Sequence, residues 1–291
     1  MPLADDVIVY PAHGAGSACG KNMSNETIDT LGNQKRTNYA LRANMSKEEF
    51  VKEVTDGLLP PPAYFPQNVT INKQGYEDID IVMHRSKHGL KPHTFERIAK
   101  ETNALILDVR HQNEFRKGHI PGSISIGLGG TFAPWVGTIV KDTQRTILLV
   151  TPQGEEEETI IRLGRVGFDN ASGYLEGGIA SWEKAGKEID IVKAITANEF
   201  ADKINSTKSQ PVVFDVRAPQ EYDTGHFLGS HNTPLTYLYQ YFEKFPKKKT
   251  FYIHCQSGYR SAIASSILKG KGYHNFFDIS DGFQGMAKAK I

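Results

Sequence analysis

Residues 104–123 read ALILDVRHQNEFRKGHIPGS, and residues 211–230 read PVVFDVRAPQEYDTGHFLGS. Asp108 matches Asp215, Arg110 matches Arg217, Glu114 matches Glu221, and Gly118-His119 matches Gly225-His226, every pair 107 positions apart. That spacing suits one small domain and is too long for a solenoid repeat. The likeness continues downstream, where RTILLVTPQGEEEETIIRLGRVGF (145–168) parallels KTFYIHCQSGYRSAIASSILKGKGY (249–273) with one gap. Each begins with a short unbroken apolar run, which predicts a strand buried on both faces. A polar loop with a glycine follows (Gly154, Gly258). A helical pattern comes next, with Ile263, Ile267 and Leu268 at helix spacing and Gly270 and Gly272 suited to ending it. Strand, loop and helix in succession predict an α/β chain of two similar domains, each a parallel sheet flanked by helices. The expected division is 1–75, 76–192 and 193–291, with Thr196 or Asn198 capping a new helix ahead of Glu199.

Composition narrows the function classes. At 291 residues the chain has room for two domains or three small ones, and its 39% hydrophobic content is enough to fill their cores. Lys and Arg number 34 against 33 Asp and Glu, so the net charge of +1 argues against nucleic acid or an anionic membrane as partner. Lys247 to Lys249 read as a solvated turn. Aliphatic runs such as Ile147 to Val150 fall far short of the roughly 20 residues of a spanning helix. Residues 1–12 show neither the basic start nor the apolar stretch of a signal peptide. Cys19 and Cys255 stand too far apart to make a disulfide framework or a zinc cluster. The expectation is a cytoplasmic protein in a reducing compartment.

Cys255 carries the chemistry. It ends an apolar strand and leads through Gln256, Ser257, Gly258 and Tyr259 to Arg260 and a helix. A thiol placed there faces converging backbone N–H groups and the positive end of the helix dipole, which favour the thiolate. Arg260 adds a cation able to fork onto an anionic sulfur group, and Gly258 lets the loop curl. A persulfide on Cys255 would sit in the same nest of donors.

DVRAPQEYDTGHFLGSHNTP (215–234) followed by HCQSGYRSA (254–262) resembles the rhodanese homology domain across the whole second copy. The resemblance implies sulfurtransferase chemistry: Cys255 takes sulfane sulfur from thiosulfate or a low-molecular-weight persulfide such as glutathione persulfide, then passes it to a thiol or cyanide. Cys255 and Arg260 are then the catalytic pair, and Gln256, Ser257, Gly258 and Tyr259 bind the substrate. No cofactor and no metal are implied. Four residues separate Cys255 from Arg260, the short loop of the sulfurtransferases; phosphatase relatives carry one residue more. The alternative is a non-catalytic sulfur-carrier or interaction module serving a separate persulfide dioxygenase-type metal enzyme. The family's Gly-Gly-x-x-x-Trp element appears here only as DGFQGMAKA (281–289), a change expected to affect packing.

The first copy lacks a nucleophile. Thr151 stands where Cys255 stands, and Glu155-Glu156 stand where Tyr259-Arg260 stand. A threonine without a base cannot hold a persulfide, and Glu155 to Glu158 would repel an anionic donor. Asp215, Arg217, Glu221 and His226 recur in this inactive copy, so all four read as scaffold. LEGGIASW (175–182) keeps the Gly-Gly-x-x-x-Trp element. GLGGTFAPWVGTIV (127–140) has no counterpart in the second copy, and its Phe132 and Trp135 look exposed enough to dock another domain.

VIVYPAHGAGSACGK (7–21) and GNQKRTNYAL (32–41) resemble the C-terminal end of the metallo-β-lactamase fold, as fused to tandem rhodanese domains in persulfide dioxygenase-like proteins. That fold's metal-binding His-x-His-x-Asp-His run is missing, so His13 alone is not expected to hold a metal. Residues 1–75 read as a C-terminal remnant of that fold. A homo-oligomer, or docking to a metallo-β-lactamase-fold domain, follows as the expected protein contact. Within this segment SKEEFVKEVTDGL (46–58) predicts an amphipathic helix capped by Ser46 and Glu49, with Phe50, Val51, Val54 and Leu58 on one face. The proline-rich LLPPPAYFPQNV (58–69) predicts an extended connector.

Overall fold

A computed structural model describes residues 3–11, 26–56, 64–206 and 210–291. His13, Cys19 and Leu58 lie outside the described residues. The chain divides into two compact units, Met1–Pro61 and Pro62–Ile291.

In the smaller unit β1 (Ile8–Val9) pairs antiparallel with β2 (Asp29–Thr30). Helix α1 (Leu31–Thr37) follows, its first turn capped by the Thr30 hydroxyl, which accepts the Asn33 N–H. Helix α2 (Lys47–Thr55) carries the expected capping box: the Ser46 hydroxyl accepts the Glu49 N–H and the Glu49 carboxylate accepts the Ser46 N–H. Its apolar side stays open, with Phe50 42% and Val51 47% exposed.

The larger unit's first described helix is α3 (Phe65–Gln74), which corrects the expectation of an extended connector over residues 65–69; residues 58–63 of that stretch lie outside the described residues. Pro66 sits in the first helical turn, where the N–H it lacks would have no intrahelical partner. Helix α4 (Ile79–Ser86) then leads into the first repeat: β3 (Gly89–Leu90), α5 (Pro92–Thr102), β4 (Leu105–Asp108), α6 (Gln112–Lys117), β5 (Ile124–Ser125), α7 (Phe132–Ile139), β6 (Ile147–Val150), α8 (Glu156–Gly164), β7 (Ala171–Leu175) and α9 (Gly178–Lys184). The second repeat holds β8 (Ala194–Ile195), α10 (Ala197–Asn205), β9 (Val213–Asp215), α11 (Pro219–Thr224), β10 (His231–Asn232), β11 (Phe251–His254), α12 (Tyr259–Gly270), β12 (Phe276–Ile279) and α13 (Gly282–Ala289). Thr196 caps α10 through a capping box with Glu199, as its sequence predicts.

Both sheets are parallel and share one strand order. The first runs β5-β4-β6-β7-β3 and the second β10-β9-β11-β12-β8. Each repeat therefore places the carboxyl end of its central strand, β6 or β11, at the same point of the sheet, and there Thr151 and Cys255 lie. The copies differ between their third and fourth strands in chain order: α7 occupies this stretch in the first, and two short 3-10 turns (Leu235–Gln240 and Phe242–Lys244) occupy it in the second.

One apolar cluster runs through both repeats, including Leu107, Ile126, Phe132 and Leu149 of the first with Phe214, Leu238, Phe251 and Ile263 of the second. The opposite faces of the sheets have their own clusters, built around Phe95 and Trp182 and around Phe200 and Met286. Met286 fills the place that Trp182 fills in the first copy, so the altered DGFQGMAKA element keeps its apolar plug. Helix α12 is buried from Ser261 to Leu268, on every side of the helix. Its small residues let the first repeat approach: the Ser266 hydroxyl accepts the Ser125 N–H at 3.1 Å, and Lys269 pairs with Asp190 at 2.8 Å. No helix among the described residues is long and apolar enough to cross a membrane.

Candidate active site

Strand β11 ends at His254, and Cys255 begins the turn into α12, with its residue 1% exposed. The Cys255 Sγ accepts the Gly258 N–H at 3.1 Å. Gly258 reaches this position with φ +91°, and a Cβ there would come within 2.0 Å of the Ser280 carbonyl oxygen, so both conformation and space require glycine. The N-terminus of α13 braces the loop from the far side. Phe283 N–H donates to the Cys255 carbonyl at 2.8 Å and Gln284 N–H to the Gln256 carbonyl at 3.1 Å. At Gly282 a Cβ would come within 2.4 Å of the Cys255 carbonyl oxygen.

Arg260 does not stand free. Its Nη1 and Nη2 donate to the two carboxylate oxygens of Glu221 at 2.5 and 2.7 Å, and these bonds hold the Glu221 carboxyl below its ordinary range. The fork expected to grip an anionic sulfur group is thus turned onto a carboxylate. Glu221 accordingly parts company with its counterpart Glu114, which pairs with the exposed Lys117. The other three shared residues are scaffold in both copies. Arg217 chelates Asp215 and donates to the Gly225 carbonyl, as Arg110 does to Asp108 and the Gly118 carbonyl. His226 stacks on Tyr222 as His119 stacks on Phe115.

His254 lies behind Cys255. Its Nδ1 lies 3.1 Å from the Cys255 carbonyl, which can only accept, so Nδ1 carries the proton. Nε2 has no hydrogen-bond partner and sits 3.8 Å from Asp215 Oδ2, and burial lowers the ring's pKa. The first repeat has Val150 in this place.

A cavity of about 490 Å³ opens over Cys255. Ser257, Tyr259 and Arg260 line it from the second repeat, and His111, Gln112, Gly129, Gly130, Thr131 and Trp135 line it from the first. Of the residues expected to bind substrate, Ser257 and Tyr259 face the cavity. Gln256 and Gly258 are absent from its lining, and the Gln256 side chain instead accepts from Arg217 at 3.1 Å. Sequence reasoning missed the first-repeat wall, although the unmatched segment 127–140 carried the signal for Gly129, Gly130, Thr131 and Trp135; His111 and Gln112 had none. That segment docks onto the second repeat's own loop. Tyr259 donates to the Gly127 carbonyl at 2.7 Å, and its ring lies so close to Gly130 that a Cβ there would meet it at 2.4 Å. Phe132, expected to be exposed, is 2% exposed in the shared core, and Trp135 is half-buried at the cavity. The reason is periodicity: α7 needs an inner face, and Phe132, Val136 and Ile139 supply it.

The equivalent loop of the first repeat is arranged differently. Gly154 adopts φ +89°, almost matching Gly258, but its N–H donates to the Glu156 carboxylate at 3.2 Å. A fixed carboxylate thus satisfies the donor that serves the thiol in the second repeat, and Thr151 offers no thiol.

A model of the rhodanese-like domain matches residues 91–185 and again residues 196–289. The chain belongs to the rhodanese-like family. Among the proteins it resembles, the uncharacterized protein YqhL of Bacillus subtilis is 35% identical over 103 residues, which is 34% of this chain and 79% of YqhL. Thiosulfate sulfurtransferase 16, chloroplastic, of Arabidopsis thaliana is 31% identical over 86 residues, which is 25% of this chain and 72% of that protein. Among solved structures, a metallo-beta-lactamase from Staphylococcus aureus subsp. aureus COL aligns at 27% identity and TM-score 0.45, covering 60% of this chain and 46% of its own.

Proposed function

We propose that this rhodanese-like chain is a sulfurtransferase that carries sulfane sulfur on Cys255. The observation that supports it most is the Gly258 N–H aimed at Cys255 Sγ, on the floor of a cavity. With thiosulfate as donor, the Cys255 thiolate attacks the outer sulfur. The sulfur–sulfur bond breaks, its electron pair leaves with sulfite, and a Cys255 persulfide remains. An acceptor thiolate or cyanide then attacks the terminal sulfur, forming a persulfide or thiocyanate and returning the Cys255 thiolate. The two half-reactions need no external oxidant or reductant. Backbone N–H groups of the loop stabilise the persulfide anion, and Arg260, oriented by Glu221, presents its remaining N–H groups to the donor. The sulfurtransferase name of the Arabidopsis relative agrees with this reading.

Steady-state transfer from thiosulfate to cyanide and to glutathione, with Cys255→Ser alongside, tests it. Turnover that disappears in the variant is expected; turnover persisting in the variant contradicts the reading. We further read residues 1–75 as the C-terminal segment of a metallo-β-lactamase fold, on the strength of the 7–21 and 32–41 motifs. Binding of a separately expressed N-terminal portion of that fold would test this.

A further inference from the structure

The first repeat reaches the nucleophile loop through one buried side chain. Arg116 on α6 is 4% exposed and Asp278 on β12 is fully buried. Arg116 Nε and Nη2 donate to Asp278 Oδ2 at 2.8 and 2.7 Å, and Nη1 donates to Asn113 Oδ1 at 2.7 Å. Nη2 also donates to the Gly258 carbonyl at 2.6 Å. Gly258 is thereby held from both sides: its N–H points at Cys255 Sγ and its carbonyl is fixed by a guanidinium from the other repeat. The repeats differ at both positions of this pair. Asp223 occupies the place of Arg116 in the second copy, and Tyr174 occupies the place of Asp278 in the first. The strut is thus not part of the scaffold the two copies share; it joins the copy without a nucleophile to the copy that has one.

We propose that Arg116 is a positioning residue for Cys255, by which the nucleophile-free repeat sets the loop geometry of the active one. Asp278 balances its charge, so its influence on the thiol is geometric: the fork locks Gly258 in the left-handed conformation that aims the N–H at sulfur. Lysine, a point charge without the planar fork, can stay paired with Asp278 but cannot also hold the carbonyl in the same way. The inference rests on Cys255 being the nucleophile of the proposed transfer, yet alkylation reads it without any sulfur donor or acceptor.

The test is the rate of Cys255 alkylation by iodoacetamide as a function of pH, in a Cys19→Ser background. Arg116→Lys and the double variant Arg116→Met/Asp278→Leu are compared with the parent, and thermal unfolding is followed alongside. The double variant replaces a buried ion pair by apolar groups, an exchange that such sites often tolerate. The expected result is cooperative unfolding in both variants, with alkylation at pH 7 slowed about tenfold and the profile displaced to higher pH. An unchanged profile in a folded variant overturns the proposal, and so does failure of both variants to fold, since either result makes Arg116 scaffold alone. If the parent alkylates but takes up no sulfur, the proposed function fails while the role of Arg116 is still decided.

Discussion

At the residue scale the geometry turns on two groups, a thiol given a single backbone donor and an arginine already engaged. Removing Arg260 would take a cation from the cavity wall and leave Glu221 without its ion-pair partner, so Arg260→Ala should do more harm than loss of one bond. Hydrogen bonds to charged groups are worth about 1.5–3 kcal/mol, so kcat/KM for thiosulfate should fall about 10–100-fold. A further Glu221→Ala change should recover part of that loss by removing the stranded carboxylate. Unchanged thiosulfate kinetics in Arg260→Ala would contradict the assignment. Cys255, Gly258 and Arg260 were legible because a thiol, a tight turn and a cation at fixed spacing leave a chemical signature. The engagement of Arg260 by Glu221 was not legible, because their sequence separation of 39 gives no local cue.

At the element scale, helix ends follow local rules and were readable. The capping boxes at Ser46 and Thr196 use contacts within four residues. Pro66 misled because a proline in the first turn of a helix costs no hydrogen bond, so it marks a start where a break was expected. The α13 terminus carries a sharper prediction. Gly282→Ala places a Cβ against the Cys255 carbonyl, which the α13 N–H groups hold fixed. Such overpacking costs about 1–3 kcal/mol, and the loop should shift with it. Transfer activity should fall at least about tenfold while far-ultraviolet circular dichroism stays native; full activity would show that the brace is dispensable.

The buried end of α6 makes a pH prediction. Burial lowers His119 from its ordinary value of 6.5 to about 4 in the folded chain. The folded state therefore keeps the ring neutral while the unfolded chain takes up the proton, and stability declines as pH falls from 6.5 to about 4. This one group accounts for about 3 kcal/mol of that decline. Buried His254 shifts in the same direction. Denaturant unfolding between pH 7 and 4 should show the fall, and His119→Asn should flatten it; an equal slope in the variant would remove His119 as its cause.

For the whole molecule, the internal repeat made the architecture readable, since two matching segments must fold alike and both sheets have the same strand order. How the copies meet was hidden. Their shared cluster is built from residues that look like ordinary core in either repeat alone. The small residues of α12 only reveal a second buried face once the first repeat lies against it. A segment of residues 193–291 alone should therefore expose that face and lose the cavity wall. It should unfold at lower temperature than the full chain and transfer sulfur poorly; equal thermal stability and activity would mean that the first repeat is a passenger. The central claim, that Cys255 carries sulfur, is tested most directly by intact mass spectrometry after incubation with thiosulfate and again after reduction. The account predicts a gain of one sulfur atom in the parent, removed by reductant and absent in Cys255→Ser. No gain in the parent, or the same gain in the variant, would contradict it.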